Sequence, residues 1–412
     1  MAASRFIEGR GGQPAKAWAG ILACRRALGI PLVAVLGIGL VACSPQRMIE
    51  AGLVLQDIAA GDGPSRLKDT TPPPRRAPVT YRVSGRDHGA DLYLPGDEAR
   101  AAIVLVPGVA EAGKNDRRLV ALAKTLARAR FAVLVPDIGG LRALKVRASD
   151  SREIADAVAY LASADGLAAN GRVGIAAISY AVGPAVIAAL EADVRDRVQF
   201  VLGIGGYHDI EAVVAFFTTG YYREQADGEW RYRTPNAYGK WVFVLSNLDL
   251  VRDAGDRAIL ESMAWRALKR YGPKMADVSA YPDFDATELE SRLTAEGRAF
   301  HALLTNTDPE RVPDLIAGLP DEVRANLDAL NLARKDLGRL EARLILVHGR
   351  DDDIIPFSES RALAAAVARE KVDLYLVDGL RHIDTDPGFF GKVKLLSAVY
   401  RLLEERDAAP EG

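Results

Sequence analysis

A serine that lies between an apolar strand and a helix is a candidate nucleophile in this sequence. Ser179 lies in AISYA (residues 177–181), between a predicted strand, Arg172–Ile178, and a predicted helix, Pro184–Leu190. A serine in such a tight, strained turn needs small residues two positions away on either side. Its hydroxyl then projects above the sheet as a nucleophile. The pattern is modest, because alanines occupy both small positions and a serine that caps a helix gives the same local sequence.

Two further candidate segments follow predicted strands near the C-terminal end. The strand Leu344–Val347 leads into HGRDDDIIP (residues 348–356), which carries three consecutive aspartates. A loop carboxylate can orient a histidine and stabilise its imidazolium, although solvated acids that cap the next helix would look similar. The strand Val372–Val377 leads into DGLRH (residues 378–382). Of the five histidines, only His382 lies beyond the aspartates.

Together these segments resemble the α/β-hydrolase superfamily. Residues 348–356 resemble its strand and acid-bearing loop, H-G-x-x-D-x-x-[VI]-P, and the register of that motif puts the acid on Asp352. Residues 379–382 resemble its G-x-x-H base position, and Ser, Asp, His is the chain order that this superfamily uses. The resemblance implies that Ser179 is the nucleophile, His382 the base and Asp352 the carboxylate that orients it.

The resemblance also implies backbone donors for the anionic oxygen of a tetrahedral intermediate. One is the N–H of Tyr180, the residue after the serine. The other belongs to the segment PGVA (residues 107–110), where we select Val109, with Gly108 and Ala110 as alternatives. Many members have His-Gly where this chain has Pro-Gly, but backbone donors tolerate that departure.

The same loop supports an alternative, nucleotide-binding interpretation. Residues 108–115, GVAEAGKN, nearly match the phosphate-binding pattern G-x-x-x-x-G-K-[ST], after a strand and before a helix. Asn115 lacks the hydroxyl that would bind Mg²⁺. This alternative also leaves Ser179, Asp352 and His382 without a role, so the hydrolase is favoured.

The elements that position these residues alternate between strands and amphipathic helices. This alternation predicts an α/β fold, a doubly wound, mostly parallel sheet of the α/β-hydrolase type. In such sheets the chemistry collects at the carboxyl ends of the strands. The predicted strands are Val79–Val83, Ala90–Leu94, Ala101–Pro107, Phe131–Val135, Arg172–Ile178, Phe200–Ile204, Leu344–Val347 and Val372–Val377.

A long interruption of the alternation predicts an inserted cap. The hydrolase core would comprise residues 79–207 and 341–406, and residues 208–340 would form a large helical cap, or lid. The insertion holds 14 of the 28 aromatic residues and three of the four tryptophans. That enrichment favours a lid with an apolar underside, although an insertion of this size could also need the aromatics for a core of its own.

The N-terminal residues look like a targeting signal. Residues 1–26 are basic, residues 27–42 are uncharged and apolar, and LVAC (residues 40–43) resembles the bacterial lipoprotein signal, whose cysteine thiol takes the lipid. The resemblance implies that residues 1–42 are a signal segment and that Cys43 anchors the chain in the bacterial envelope, facing the periplasm or the exterior. An uncleaved anchor helix or an ordinary secretory signal are the alternatives. Residues 43–78, with five prolines after position 61, predict an extended tether.

Composition sets the remaining expectations. The chain has 412 residues, 49% of them hydrophobic, and a net charge of −2, which leaves no electrostatic basis for nucleic-acid binding. Its two cysteines, Cys24 and Cys43, exclude a thiolate metal site further along, and we expect no metal and no cofactor. The tether and the aromatic cap favour an apolar or lipidic ester as substrate. Thioester or peptide hydrolysis, and an inactive envelope-bound binding protein, remain alternatives, and oligomeric state does not follow from the sequence.

Overall fold

The central strands form because mainly apolar runs of six or seven residues are long enough to cross the core and are buried on both faces. The computed structural model describes residues 44–168, 171–225, 227–271, 291–381 and 388–408. Within these ranges eight strands form one sheet in the order β1-β2-β4-β3-β5-β6-β9-β10. Their bounds are Arg75–Val83, Arg86–Leu94, Ala101–Val106, Phe131–Pro136, Val173–Ile178 and Val198–Ile204 for β1 to β6, and Arg343–Gly349 and Val372–Val377 for β9 and β10.

The first two strands are antiparallel and the other six run parallel. β1 pairs antiparallel with β2, and β2 pairs antiparallel with β4, whereas all later pairings are parallel. Ser84 and Gly85 both have positive φ, of 48° and 81°, so they form the two-residue turn typical of a tight hairpin. The predicted strands Val79–Val83 and Ala90–Leu94 are therefore parts of a longer hairpin, because β1 begins at Arg75 and β2 at Arg86.

Helices cover both faces of the sheet. Alternate residues of β3 belong to opposite apolar clusters, Ala102, Val104 and Val106 to one and Ala101, Ile103 and Leu105 to the other, as the period of two requires. This burial on both faces explains the continuous apolar runs. The helices of the described ranges are α1 Pro45–Ala60, α2 Arg66–Thr70, α3 Arg117–Arg128, α4 Gly139–Arg142, α5 Asp150–Ser163, α6 Val182–Ala188, α7 Ile210–Thr219, α8 Tyr238–Asn247, α9 Ala254–Tyr271, α10 Ala295–Thr305, α11 Val312–Ala317, α12 Asp321–Leu330, α13 Phe357–Ala365 and α14 Phe389–Asp407. The predicted α/β class with a doubly wound, mostly parallel sheet is confirmed.

The chain reverses its direction across the sheet between β3 and β5. After β3 it moves to β4 on one side, and after β5 it moves to β6 on the other. The loops that follow β3 and β5 therefore diverge from neighbouring strand ends and leave a crevice, which is where open α/β sheets bind ligands. Ser179 and the segment 107–110 lie in those two loops.

The described residues of the insertion, 208–225, 227–271 and 291–340, consist mainly of α7 to α12, with one short hairpin, β7 Tyr221–Arg223 and β8 Trp230–Tyr232. Its buried aromatics belong to the same apolar cluster as one face of the sheet, Phe217, Trp241 and Phe300 among them. The insertion thus has no separate core in the described residues, and its apolar side continues the core of the sheet.

The segment expected to be an extended tether is ordered structure instead. Residues 45–60 form α1, in which Ala51 and Val54 are buried in the cluster beneath α3 and α14. The buried Asp57 accepts a hydrogen bond of 2.6 Å from the hydroxyl of Thr125. Pro78 lies within β1, which tolerates it because that strand is at the edge of the sheet. The prolines therefore mark an edge strand and helix boundaries, and the predicted tether is wrong from residue 45 onward.

The predicted signal segment, residues 1–42, and the predicted lipid attachment at Cys43 lie outside the described residues. Among the helices that the structure does describe, none combines the length and the apolar character needed to cross a bilayer.

Candidate active site

Ser179 occupies a strained turn at the carboxyl end of β5. Its φ is 60°, in the left-handed region that non-glycine residues avoid at a cost of about 1–3 kcal/mol. The turn runs directly from β5 into a short 3-10 segment, Ser179–Ala181, and then into α6. Ala177 and Ala181 are fully buried, which explains why both positions two residues away are small. A helix-capping serine requires no such backbone, so the geometry favours a partly exposed serine at a sharp bend.

Close packing behind the turn supports this strain. A Cβ placed on Gly183 would overlap the ring and hydroxyl of Tyr207, and one placed on Gly206 would overlap Val182. The backbone of α6 therefore lies directly against the segment that follows β6, and larger residues would push the turn away from the sheet.

Asp352 is the buried member of the three consecutive aspartates. It is 2% exposed, whereas Asp351 is exposed and accepts a 2.8 Å hydrogen bond from the N–H of Gly379. The Oδ1 atom of Asp352 accepts hydrogen bonds of 2.9 Å from the N–H groups of Ile354 and Ile355. These two donors stabilise a charged carboxylate and hold its orientation.

His348 lies beneath the acid loop, the segment of residues 350–356 that follows β9. Its Nδ1 is 2.7 Å from the hydroxyl of Ser360, and its Nε2 is 2.9 Å from the carbonyl of Ile355 and 3.4 Å from Oδ2 of Asp352. The ring is fully buried. This histidine therefore supports the acid loop from below, and its partners leave it no role as a mobile base.

The segment that leads to His382 runs beside the acid loop, although His382 itself lies outside the described residues. The N–H of Arg350 donates to the carbonyl of Val377 at 2.8 Å. A Cβ placed on Gly349 would overlap the carbonyl oxygen of Leu380. Gly349 is therefore needed for the close approach of the two loops, which joins the carboxyl ends of β9 and β10.

The side chain of Tyr180 lies between the serine turn and the insertion. Its hydroxyl is buried and has no hydrogen-bond partner in the described part of the chain. Burial, followed by the nearby charge of Asp352, raises the pKa of Tyr180 well above its ordinary value. A Cβ placed on Gly239, in the first turn of α8, would lie 3.3 Å from this hydroxyl. The phenol is thus a neutral group close to the acid loop and to the insertion.

The segment selected for the oxyanion site lies beside the serine turn. Val106, the last residue of β3, pairs with Ala177. A Cβ on Gly108 would be 3.8 Å from the carbonyl oxygen of Ile178, the residue before the serine. Val109 is half-buried against the core. Within the described ranges, neither the N–H of Val109 nor that of Tyr180 donates a hydrogen bond to another residue.

The nucleotide-binding alternative conflicts with the contacts of its own loop. Lys114 is paired with Asp91 at 2.9 Å. The carboxylate of Asp116 accepts hydrogen bonds from the N–H groups of Arg118 and Leu119, at 2.9 and 3.2 Å, and so caps α3. The N–H groups in the first turn of α3 that could bind a phosphate therefore already donate to a carboxylate.

The insertion contacts the acid loop directly through polar groups that the sequence did not indicate. Arg233 donates to the carbonyls of Arg350 and Asp352, at 2.6 and 3.1 Å. The N–H of Asn236 donates to the carbonyl of Asp353 at 2.6 Å. An isolated arginine in a loop carries no motif, so these contacts could be found only in three dimensions.

A buried glutamate fixes the start of the insertion. Glu359, in α13, accepts hydrogen bonds from the N–H groups of His208 and Asp209, at 3.0 and 2.7 Å. Burial raises the pKa of Glu359 to about 7. The carbonyl of His208 in turn accepts from the N–H of Ala333 at 3.0 Å. The two connections of the insertion therefore lie side by side.

In the ranges described, no cluster of three or more histidine, cysteine, aspartate or glutamate side chains could hold a metal ion. The polar groups at the strand ends are instead a serine, a buried carboxylate and free backbone donors, a set suited to acyl transfer.

No protein-family model and no curated protein matches the chain. Among solved structures, Est1E from Butyrivibrio proteoclasticus is 14% identical with a TM-score of 0.41, over 80% of this chain and 98% of that one. The acylaminoacyl peptidase of Pyrococcus horikoshii is 13% identical with a TM-score of 0.44, over 84% of this chain and 44% of that one. The 2,6-dihydroxy-pseudo-oxynicotine hydrolase is 15% identical with a TM-score of 0.45, over 82% and 71%.

The chain spans only 36% to 46% of the length of the peptidases that it matches. The described part of the chain is distinguished by its strand order, by the antiparallel β1–β2 and β2–β4 pairings, and by the strained serine after β5. By these features the described residues form the doubly wound, mostly parallel α/β sheet that the sequence predicts.

Proposed function

We propose that this protein is a serine hydrolase that cleaves a carboxylic ester through an acyl-enzyme. Ser179 Oγ attacks the carbonyl carbon while its proton passes to His382, which Asp352 orients. The carbonyl oxygen becomes anionic and accepts hydrogen bonds from the N–H groups of Val109 and Tyr180. As the bond to the alcohol breaks, His382 returns the proton to the leaving oxygen. Water then repeats the sequence on the acyl-enzyme and releases the acid.

The observation that carries this proposal is the left-handed backbone of Ser179 at the crevice between β3 and β5. A non-glycine residue is strained there, and such strain persists where the surrounding structure enforces it. The buried Asp352, which receives two backbone N–H groups at the carboxyl end of β9, supports the assignment of the acid. For His382 the support is the chain order and the described segment that ends at Arg381, beside the acid loop.

An activity-based test separates this enzyme from an inactive binding protein. Wild type should react covalently with a fluorophosphonate, and Ser179→Ala should not. Ser397→Ala is the matched control, because Ser397 is exposed on α14 and should leave labelling unchanged. Absence of labelling of the folded wild-type protein would refute the enzyme and favour the binding protein.

For the substrate, we propose an apolar or lipidic ester. Half of the aromatic residues lie in the insertion, and its apolar side continues the core next to the site. A panel of p-nitrophenyl esters of increasing chain length should show kcat/KM rising from acetate towards longer acyl groups. A preference for acetate would contradict the proposal. A matched thioester and anilide of the best acyl group test the thioesterase and peptidase alternatives.

We also propose that Cys43 carries a lipid that holds the protein in the bacterial envelope. The support is the sequence alone, a basic segment followed by an apolar run that ends in LVAC. Incorporation of labelled palmitate in a bacterial host should be lost in Cys43→Ala and retained in the control Cys24→Ala. Equal incorporation in wild type and Cys43→Ala would refute lipidation at this residue.

A further inference from the structure

The segment that resembles a phosphate-binding loop makes contacts that indicate a different role. Residues 107–116 connect β3 to α3 and pass over the carboxyl ends of the neighbouring strands. Gly113 has a φ of 49°, which only glycine adopts without strain. Its N–H donates to the carbonyl of Ala110 at 2.9 Å, and that of Asn115 donates to Ala112 at 2.9 Å. These consecutive turns direct the side chain of Lys114 back towards the sheet.

Lys114 reaches a buried carboxylate on a strand that is not adjacent to β3. Its Nζ donates to Oδ2 of Asp91 at 2.9 Å. Asp91 lies in β2, which β4 separates from β3. Since neighbouring strands are about 4.8 Å apart, the loop spans roughly 10 Å of sheet to make this contact. Asp91 pairs with Val135, near the carboxyl end of β4, so the contact lies at the edge that carries the site.

A second cation strengthens the contact. The guanidinium of Arg76 donates to the same Asp91 oxygen, through Nη2 and through Nε at 3.1 Å. Its Nη2 also donates to the side-chain oxygen of Asn115 at 2.6 Å. Asp91 and Arg76 on the first two strands thereby hold Lys114 and Asn115 of the loop. We refer to these four residues as the loop clamp.

The charges of the clamp are mutually dependent. Burial alone would raise the pKa of Asp91, but hydrogen bonds from Arg76 and Lys114 lower it below its ordinary value, so the carboxylate is ionised. The side chain of Asp91 is 4% exposed, which makes each bond to it more effective than a surface ion pair. Losing Lys114 leaves that charge with one partner instead of two and frees the end of the loop.

The opposite end of the loop is at the serine. Gly108 lies against Ile178, and Val109 is half-buried on the core. The segment with the oxyanion donor is therefore held between the serine turn on one side and the clamp on the other. A donor must stay within a few tenths of an ångström of its position to be effective, and a misplacement of about 1 Å can cost 10²-fold in rate.

We propose that Asp91 and Lys114, supported by Arg76 and Asn115, are positioning residues that hold the loop after β3 in the conformation in which its N–H groups stabilise the oxyanion. This role rests on the proposed ester hydrolysis. In this role Lys114 and Asn115, which follow Gly113, position the loop, and Lys114 does not contact the substrate.

The test compares Lys114→Met with Lys114→Arg and with the control Lys124→Met. Lys124 is exposed on α3, immediately after the loop, and makes no clamp contact. Lys114→Met should lower kcat for a p-nitrophenyl ester by about 10- to 100-fold with KM changed less than about threefold, since the donor acts on the transition state. Lys114→Arg should recover most of kcat, and Lys124→Met should match wild type.

Hydrogen exchange gives a readout that does not depend on catalysis. Amides of residues 107–116 should exchange faster in Lys114→Met than in wild type or Lys124→Met. Should Lys114→Met fail to fold, Asn115→Ala removes one clamp bond at an exposed residue and should give smaller changes in the same directions. Unchanged exchange, or kcat within twofold of wild type, would overturn the clamp.

Failure of the proposed function is recognised separately. If wild type neither hydrolyses esters nor reacts with a fluorophosphonate, the catalytic role falls with the proposed function, and hydrogen exchange alone decides whether the clamp holds the loop.

Discussion

The hydroxyl of Tyr180 offers a test in which stability and activity should move in different ways. The group is buried beside Ser179 and has no hydrogen-bond partner in the described residues. A buried polar group without a partner costs about 1–3 kcal/mol. Tyr180→Phe removes the hydroxyl and keeps the ring, so the free energy of unfolding should rise by up to that amount.

Activity should change little in this variant, because the proposed oxyanion donor is the backbone N–H of Tyr180, which phenylalanine also has. We expect kcat/KM within about threefold of wild type. Tyr81→Phe is the matched control. Its hydroxyl is also buried without a partner in the described residues, but it lies on β1, where the ring stacks between His88 and Tyr160. It should raise stability and leave activity unchanged.

Urea unfolding followed by fluorescence, together with steady-state ester hydrolysis, measures both quantities. A decrease in the free energy of unfolding of more than about 1 kcal/mol in Tyr180→Phe would show that the hydroxyl is hydrogen-bonded, which would refute the geometry. A 100-fold loss of kcat/KM at unchanged stability would instead give the phenol a direct role in the reaction.

Three further predictions concern the acid loop and the insertion. Asp352→Asn should lower kcat by about 10³- to 10⁴-fold while urea unfolding stays cooperative, and near-wild-type activity would contradict the proposed role of this residue in orienting the base. Gly349→Ala should destabilise the protein by about 1–3 kcal/mol in urea, because the new Cβ overlaps the carbonyl of Leu380; wild-type stability would contradict this close approach. Glu359 has a pKa of about 7 in the folded protein, above its ordinary value of 4.5. Between these two pH values the folded protein binds a proton at Glu359 that the unfolded chain does not bind. The free energy of unfolding should therefore decrease as the pH rises from 4.5 to about 7. Urea unfolding at pH 5 and pH 8 should show this decrease in the free energy of unfolding for wild type but not for Glu359→Gln. The same pH dependence in both proteins would contradict the raised pKa of Glu359.

The sheet was predictable because its strands are buried on both faces. Continuous apolar runs such as residues 101–106 have few other structures available, and all eight strands of the sheet occur where such runs or an alternating pattern indicated them. The turn at Ser179 was predictable for a related reason, since small residues two positions away on either side are required by sterics.

The predicted tether is wrong because prolines also occur in edge strands and at helix boundaries, as they do here. Pro78 fits in β1 only because that strand pairs on one side, and the burial of Ala51 and Val54 depends on α3 and α14, which come much later in the chain. Edge position and burial against distant helices are properties of the assembled sheet, so local composition could not reveal them.

The buried aspartate likewise was selected by the sequence motif but is distinguished from its neighbours only in the structure. Spacing within the motif selected Asp352, but Asp351 and Asp353 have the same side chain and nearly the same position. In the structure Asp352 is buried and its carboxylate accepts hydrogen bonds from the N–H groups of Ile354 and Ile355, whereas the exposed Asp351 accepts one from the N–H of Gly379.

The amino-acid sequence by itself determined the α/β class, the strands and the serine turn, because each depends on burial patterns or steric limits within a few neighbouring residues. Tertiary structure alone decided that α1 belongs to the core, that Arg233 touches the acid loop, and that Lys114 pairs with Asp91 across an intervening strand. Those contacts join residues 23 to more than 100 positions apart. Their energies depend on the burial and the shared partners that only the folded sheet creates.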